Sequence, residues 1–369
     1  MRNLSDTIAR LRRLPLTLPQ NAPTSERLRI LGRFGSNPGQ LKAWIYAPER
    51  AAPAAPLVVV LHGCTQNAAG YDEGSGWSRL ADHHGFVLLY PEQQRSNNPN
   101  LCFNWFSPED AARGKGEALS IREMVAAVQA LHGTDPHRVF VTGLSAGGAM
   151  AAAMLATYPD VFAGGAVVAG LPFGIARSVP EAFDRMRGHG GPPLSKLSEL
   201  VRDASGHSGD WPTLSIWHGS ADQIVDQSNA WALVEQWRGL HGAAETPSSA
   251  DVVRGHPRRV WRNSKGREVI EEYSITGLSH GTPLDTRGSS HGEIAAPFML
   301  EAGISSTRLI GRFWGIVPDV ADDQRLIALA QPSGAAEGRT QATERAHWAG
   351  HVGIGKTIED ALRSAGLMK

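Results

Sequence analysis

The pentapeptide GLSAG, residues 143–147, is the most informative stretch of this sequence. A valine-rich run with the character of a strand, Val139–Val141, precedes it, and an alanine-rich run typical of a helix follows. A serine between two such glycines at a strand-to-helix junction matches the nucleophile elbow, a sharp turn that lifts the hydroxyl out of the sheet. The small flanking residues permit the strained backbone of that turn. We therefore expect Ser145 to be a nucleophile; the alternative is a tight turn without catalysis.

Strands and helices alternate on both sides of this motif. The run Leu57–Leu61 is apolar and rich in valine, as expected of a strand buried on both faces of a parallel sheet. The other predicted strands are Phe86–Tyr90, Ala163–Ala169 and Leu214–Trp217, and the predicted helices are Trp77–His84, Glu117–Leu131, Ala146–Thr157 and Ser228–Leu240. Residues Val260–Ile275 are expected to form a hairpin. This alternation predicts an α/β fold with a mostly parallel central sheet flanked by helices.

Two long stretches lack the periodicity of a helix or strand. Pro91–Gly116 and Leu171–Pro212 are therefore interpreted as irregular, cap-like loops near the site. We expect three parts of the chain: a lead-in of residues 1–25 with a short helix, a catalytic domain of residues 26–317, and a polar tail of residues 318–369 that ends in a helix at Ile358–Ala365.

The composition excludes several classes of protein. Among the 369 residues, 36 Lys and Arg balance 36 Asp and Glu, which argues against a dedicated nucleic-acid or anionic-membrane binder. Two cysteines are too few for a disulfide scaffold or a cysteine-rich zinc module, and we expect neither metal nor cofactor. No stretch has the length and hydropathy of a transmembrane helix, and no apolar segment of signal-peptide length is evident near the N-terminus. The default expectation is a cytoplasmic protein.

A serine nucleophile needs a base and a carboxylate, which follow it in the order serine, acid, histidine in this type of fold. The predicted strand Leu214–Trp217 continues into HGSADQIVD, residues 218–226, where Asp222 is the expected acid and Asp226 the alternative. The expected base is His280, in the loop GLSHGTP that follows the predicted hairpin. The other candidates are His291, the first alternative, and His241, His256, His347 and His351.

The oxyanion of an acyl-transfer reaction needs two backbone N–H donors. Ala146 is expected to supply one of them, because it directly follows the serine. The other is expected from Cys64, in the sequence LHGCTQ at residues 61–66 after an early strand. In this interpretation His62 has a structural role and is not the base.

Seven stretches, in order, resemble a known family. They are LHGCTQNAAGYD, GFVLLYPEQ, CFNWF, GLSAGGAM, HGSADQIV, LSHGTPLD and GISSTRLIGRFWG, within residues 41–315. This set resembles the esterase family of polyhydroxybutyrate depolymerases, which also includes relatives of feruloyl and acetylxylan esterases. The resemblance implies an α/β-hydrolase fold and hydrolysis of carboxylic esters. By motif it implies that Ser145, Asp222 and His280 are nucleophile, acid and base, with Cys64 and Ala146 as oxyanion donors.

The resemblance also implies features around the site. Cys64 and Cys102 are expected to lie close together and form a disulfide; the alternative is two buried thiols. Trp105, in the stretch CFNWF, would line the substrate cleft. The full set of expected substrate-binding residues is Gln66, Tyr71, Trp105, Phe106 and Phe173.

The expected partner is a small-molecule or oligomeric ester, and the sequence does not determine the oligomeric state. Secreted members of the family carry a signal peptide and often a polymer-binding domain, and neither is evident in this sequence. We therefore expect 3-hydroxybutyrate oligomers, polyester or related short-chain esters as substrates. The alternatives are a feruloyl or acetylxylan esterase, and an inactive hydrolase fold that only binds. The match of residues 350–357 to a phosphate-binding loop is rejected, because no buried strand precedes it.

Overall fold

A computed structural model describes residues 25–287 and 292–318 of the chain. Several sequence-based predictions concern residues outside these ranges. These are the N-terminal helix, His291, His347, His351, the pattern at residues 350–357 and the helix at Ile358–Ala365.

Ten strands of the described residues form one sheet, and two more form a small separate pair. In chain order the strands are β1 (Arg29–Ile30), β2 (Lys42–Tyr46), β3 (Leu57–Leu61), β4 (Val87–Glu92), β5 (Val139–Leu144), β6 (Gly164–Val168), β7 (Thr213–Gly219), β8 (Ser249–Val253), β9 (His256–Arg262), β10 (Glu268–Ile275), β11 (Thr282–Leu284) and β12 (Met299–Glu301). The large sheet has the order β1-β2-β4-β3-β5-β6-β7-β10-β9-β8. Its central pairs, from β4 across to β10, are parallel, and the pairs at both edges are antiparallel. The predicted mostly parallel sheet is confirmed, as is the hairpin, which is β9 paired with β10.

Helices cover both faces of this sheet. They are α1 (Ala68–Ser75), α2 (Trp77–His84), α3 (Pro108–Ala111), α4 (Gly116–His132), α5 (Ala146–Thr157), α6 (Val179–Met186), α7 (Leu197–Ser205), α8 (Ser228–His241) and α9 (Ser306–Phe313). Successive side chains of a strand point to opposite faces, so Leu57 and Val59 of β3 join the core under α4, α5 and α8, while Val58 and Val60 join the core under α2 and α9. None of the helices in the described ranges is long and apolar enough to cross a membrane.

The parallel strands determine where a site can form. Because β3, β5 and β7 run in the same direction, the loops that follow them meet at one edge of the sheet. Residues 62–66, Ser145 and residues 220–226 follow these three strands. The predicted oxyanion loop, nucleophile and acid therefore lie along one edge.

The prediction that Leu171–Pro212 is irregular is wrong, because this stretch contains α6 and α7. Ser178 caps α6 by accepting a hydrogen bond from the Glu181 N–H, and Pro180 lies within the first turn, where proline is tolerated. The helix has only eight residues, and glycines and prolines follow it closely. A short helix beside so many turn-forming residues has too little periodicity to be recognised from sequence. Pro91–Gly116 contains the last two residues of β4, the short helix α3 and the first residue of α4, and is otherwise irregular.

Candidate active site

Ser145 lies at the turn between β5 and α5. Its backbone has φ 58° and ψ −118°, in a region that residues other than glycine rarely occupy. The turn is fixed by two hydrogen bonds of 2.9 Å: the Ser145 N–H donates to the Val168 carbonyl, and the Ser145 carbonyl accepts from the Ala149 N–H. Glycine at position 147 is required by space, since a Cβ there would lie 2.3 Å from the Leu61 carbonyl oxygen. This strained turn presents the Ser145 side chain to a cavity at the edge of the sheet.

Asp222 and His280 form a buried pair beside this cavity. The His280 Nδ1 lies 2.7 Å from the Asp222 Oδ2, and the second carboxylate oxygen accepts the N–H groups of Ile224 and Val225, each at 2.9 Å. Burial raises the pKa of Asp222, but the hydrogen bond and charge of His280 and the Val225 N–H outweigh it, so this pKa lies below its usual value. An ionised carboxylate only accepts hydrogen bonds, so Nδ1 carries the imidazole hydrogen and Nε2 is free to act as a base.

The alternative acid and the other described histidines lie elsewhere. The Asp226 carboxylate accepts the Ser228 N–H at 2.9 Å and closes a local turn. The Nε2 of His241 contacts the Pro212 carbonyl, and the Nε2 of His256 contacts the Ala302 carbonyl. Of the candidates within the described ranges, the pair that meets at the cavity is Asp222 and His280. In the same ranges no three histidine, cysteine or carboxylate side chains are grouped as metal ligands.

The peptide between Gly63 and Cys64 has a fixed orientation. The Gln93 N–H donates to the His62 Nε2 at 3.1 Å, so the His62 hydrogen is on Nδ1 and donates to the Gly63 carbonyl at 2.8 Å. In a trans peptide the N–H points away from the carbonyl, so the Cys64 N–H points away from His62. Ala146 is the first residue of α5, where the helix offers its N–H no partner. Both residues line the cavity with Ser145, where two N–H groups could bind an oxyanion.

A disulfide joins Cys64 to Cys102, which are 38 residues apart in sequence. Cys102 belongs to the loop that carries Trp105 and Phe106, and this loop rests on the buried carboxyl of Glu117. Glu117 accepts hydrogen bonds from the Asn104 N–H at 2.9 Å, the Asn104 side-chain amide at 2.8 Å and the Gln93 side-chain amide at 2.6 Å. Burial disfavours the charged carboxylate more than these hydrogen bonds stabilise it, and therefore raises the pKa of Glu117 to about 8.

The cavity has a volume of about 280 Å³ and a predominantly apolar wall. Gln66, Trp105 and Phe106 line it, together with Ser145 and His280. Further lining residues were not identified from sequence: Thr65, Asn98, Pro99, Asn100, Leu144, Leu171, Val179, Ala182, Phe183, Met186, Ile224 and Phe298. Four of these belong to α6, which the sequence analysis did not recognise as a helix. Their spacing of three and four residues is a helical signal, but over two turns it is too short to identify a helix by itself.

Two expected substrate-binding residues do not lie on the cavity wall. Tyr71 is buried in the core beneath α1 and α2, with its hydroxyl 3.4 Å from the Thr282 Oγ1. Phe173 packs against the core on the other face, and its backbone N–H and carbonyl bond the side-chain amide of Gln236. Aromatic side chains bury a large apolar area, and at these two positions the adjacent core was the nearest apolar environment.

A mostly parallel sheet with a serine at its strand-to-helix turn and an Asp–His pair beside it is the arrangement of the α/β-hydrolases. The acetyl xylan esterase from Aspergillus awamori has a similar structure, with a TM-score of 0.67 and 25% sequence identity over 79% of this chain and 99% of that chain. The α/β-hydrolase fold predicted from the resemblance is thereby confirmed.

This chain belongs to the esterase PHB depolymerase family, whose family model matches residues 41–255. Poly(3-hydroxyalkanoate) depolymerase C of Paucimonas lemoignei is 45% identical over 82% of this chain and 73% of its own length. An acetylxylan esterase of Coprinopsis cinerea is 32% identical over 70% of each chain, and feruloyl esterase B of Talaromyces funiculosus is 28% identical over 70% of this chain and 74% of its own. The family resemblance is confirmed, and these homologues are carboxylic ester hydrolases.

Proposed function

We propose that this protein hydrolyses oligomers of 3-hydroxybutyrate, or related short-chain hydroxyalkanoate esters, through an acyl-enzyme on Ser145. The observation that carries the proposal is the 2.7 Å contact between His280 and Asp222, at the cavity that Ser145 also lines. The 45% identity to a poly(3-hydroxyalkanoate) depolymerase supports this choice of substrate.

The reaction follows from the roles of the groups at the cavity. The Ser145 Oγ attacks the ester carbonyl carbon while the His280 Nε2 accepts the hydroxyl proton. The N–H groups of Cys64 and Ala146 stabilise the negative charge that develops on the carbonyl oxygen. The C–O bond to the leaving group then breaks, and the imidazolium protonates the departing alkoxide oxygen, which leaves as the alcohol. Water, deprotonated by the same nitrogen, hydrolyses the acyl-enzyme and restores the serine.

Asp222 has a positioning and electrostatic role in this mechanism. Its carboxylate keeps the hydrogen on the His280 Nδ1, so that Nε2 faces the reaction as an acceptor. It also stabilises the imidazolium that forms during each proton transfer. Because its second oxygen accepts hydrogen bonds from two backbone N–H groups, the carboxylate is fixed in one orientation toward His280.

The cavity is compatible with a short ester that has an apolar body and a few polar atoms. Its wall is predominantly apolar, and Gln66, Asn98 and Asn100 supply polar groups among the lining residues. The second candidate is an esterase for aromatic or acetyl esters. The aromatic rings of Trp105 and Phe106, perpendicular and 5.7 Å apart on this wall, and the acetylxylan and feruloyl esterase homologues favour it.

The test is hydrolysis of a 3-hydroxybutyrate trimer by the wild type and by Ser145→Ala, with methyl ferulate and acetylated xylan oligomers in parallel. Ser264→Ala, in the exposed turn between β9 and β10, is the matched control. We expect trimer cleavage by the wild type and the control, and a loss of about 10⁴-fold or more in Ser145→Ala. Wild-type rates in Ser145→Ala would overturn the mechanism. Faster cleavage of methyl ferulate than of the trimer would favour the second candidate.

A further inference from the structure

Helix α6 presents an apolar stripe to the catalytic cavity. Val179, Ala182, Phe183 and Met186 recur at positions i, i+3, i+4 and i+7, and all four line the cavity. Asp184 lies on the same helix and is exposed. The amphipathic pattern of α6 therefore serves the cavity wall, in addition to its packing against the core.

The helix is fixed to the loop that carries the proposed catalytic acid. The carbonyl of Met186 accepts the Asp226 N–H at 2.7 Å, and the carbonyl of Arg185 accepts the Asn229 side-chain amide at 2.9 Å. The Arg185 Nε also donates to the Ile175 carbonyl at 3.0 Å. The distance between the stripe and the reacting groups is thus set by direct hydrogen bonds to the segment just after Asp222.

The size of the cavity leaves room beyond the smallest acyl groups. The cavity volume of about 280 Å³ is close to the lower end of the range of about 300–1,000 Å³ found for ligand pockets. An acetyl group would leave most of this space unfilled, and apolar surface that stays in contact with water gains no hydrophobic free energy. The wall is therefore suited to an acyl group with an alkyl portion in contact with it.

We propose that the α6 stripe is the acyl-size filter of this enzyme: it binds the alkyl portion of the acyl group, and Phe183 and Ala182 set the length accepted. The proposal rests on the proposed function, since it assigns a substrate class to the same site. Phe183 contributes a bulky side chain and Ala182 a small one to the same wall of the cavity. Each buried methylene is worth about fourfold in kcat/KM, so changes at these two positions have opposite and measurable effects.

The experiment compares kcat/KM for p-nitrophenyl butyrate and p-nitrophenyl octanoate, which differ only in the acyl chain. In Phe183→Ala we expect the octanoate-to-butyrate ratio to rise about tenfold or more, because four additional methylenes gain space. In Ala182→Leu we expect the ratio to fall about tenfold. Asp184→Ala, on the exposed face of the helix, is the matched control and should keep the wild-type ratio.

The outcomes separate this proposal from the proposed function. A ratio within twofold of wild type in both variants would overturn the acyl-size filter, even if hydrolysis remains dependent on Ser145. An equal loss on both esters would also count against it, because a filter acts on one ester more than the other. If Phe183→Ala does not fold, the octanoate-to-butyrate ratio is measured in the milder variant Phe183→Leu. A rise of at least threefold in that ratio is expected there. Esterase activity that persists in Ser145→Ala would contradict the proposed function instead.

Discussion

Asp222 uses its two carboxylate oxygens for different contacts. One oxygen accepts hydrogen bonds from two backbone N–H groups of its own loop, and the other accepts a hydrogen bond from the Nδ1–H of His280. Because the pKa of Asp222 lies below its usual value, folding is favoured by its ionised form. The contribution of Asp222 to the free energy of unfolding is complete above the ordinary pKa of an aspartate. It is lost as the pH falls through the lowered pKa of the folded state. The carboxylate is therefore ionised throughout the neutral range, as the proposed mechanism requires.

Replacement of this carboxylate should separate the two candidate acids. In Asp222→Asn the neutral amide no longer fixes the hydrogen on the His280 Nδ1, and we expect kcat to fall by about 10⁴-fold. Asp226→Asn is the control, since the Asp226 side chain only closes a turn at Ser228. Steady-state hydrolysis of p-nitrophenyl butyrate measures both. A larger loss in Asp226→Asn than in Asp222→Asn would contradict the assignment.

The sequence predicted the placement of Ser145, Asp222 and His280 because each follows a recognisable strand, and the order of strands fixes the edge at which they meet. It did not predict that Tyr71 and Phe173 face the core. The direction of an aromatic side chain depends on how its segment is rotated against neighbours that are distant in sequence. Both residues have polar partners, Thr282 and Gln236, that no local pattern could identify.

The turn between β5 and α5 depends on close approach of two backbones. A Cβ at Gly147 would lie 2.3 Å from the Leu61 carbonyl oxygen and 2.5 Å from that of His62. These contacts are with backbone atoms of β3 and the segment after it, which cannot move without displacing the proposed oxyanion loop. Glycine at this position thus serves both the packing and the site.

Gly147→Ala should therefore destabilise the protein by about 2–3 kcal/mol or more, as expected of overpacking against a rigid backbone. Urea unfolding followed by circular dichroism measures the change. Gly32→Ala is the matched control, because a Cβ at Gly32 meets no atom within 4 Å, and we expect it to be nearly neutral. Equal free energies of unfolding for the two variants would contradict this account of the turn.

The disulfide connects the proposed oxyanion loop to the loop that carries Trp105. Removing a cross-link between residues 38 apart should destabilise the protein by about 4 kcal/mol, because the unfolded chain regains the entropy of an open loop. We also expect lower activity, since the backbone of Cys64 would be held less rigidly. Stability and activity are measured for the double variant Cys64→Ser/Cys102→Ser and for wild type reduced with dithiothreitol, and each is compared with the oxidised wild type. Unchanged stability in both would contradict this role.

The elements differ in how far their sequences define them. The central strands have long apolar runs and were predicted with small differences in their bounds, and α5 was predicted with its observed bounds. Helix α6 was missed because eight residues between glycines and prolines give two turns of periodicity at most. Its apolar stripe can be assigned to the cavity wall only from the tertiary structure, because the position of the cavity depends on segments that are distant in sequence.

The site is assembled from segments spread over most of the described chain. Cys64, Ser145, Phe183, Asp222 and His280 come from five separate loops or helices, brought together by the parallel sheet between two apolar layers. Glu117 supports the loop of Trp105, and burial raises its pKa to about 8.

The raised pKa of Glu117 makes a prediction for the stability of the whole protein. Between about pH 5 and pH 8 the folded state keeps a proton on Glu117 that the unfolded state has lost, so the Glu117 contribution to stability decreases as the pH rises. Buried His62 and His218 have lowered pKa values and act in the opposite direction at the acidic end, so a comparison with a variant is needed. The difference in free energy of unfolding between wild type and Glu117→Gln should fall by about 3 kcal/mol from pH 5 to pH 8. A difference that stays constant or rises would contradict it.

The central claim, that Ser145 is the activated nucleophile of a hydrolase, is tested most directly by covalent labelling. The protein is treated with a serine-directed fluorophosphonate, digested and sequenced by mass spectrometry. The account predicts one adduct per chain, on Ser145, in the wild type, and none in Ser145→Ala at the same time and concentration. A wild-type protein that stays unlabelled, or an adduct that forms at the same rate in Ser145→Ala, would contradict it.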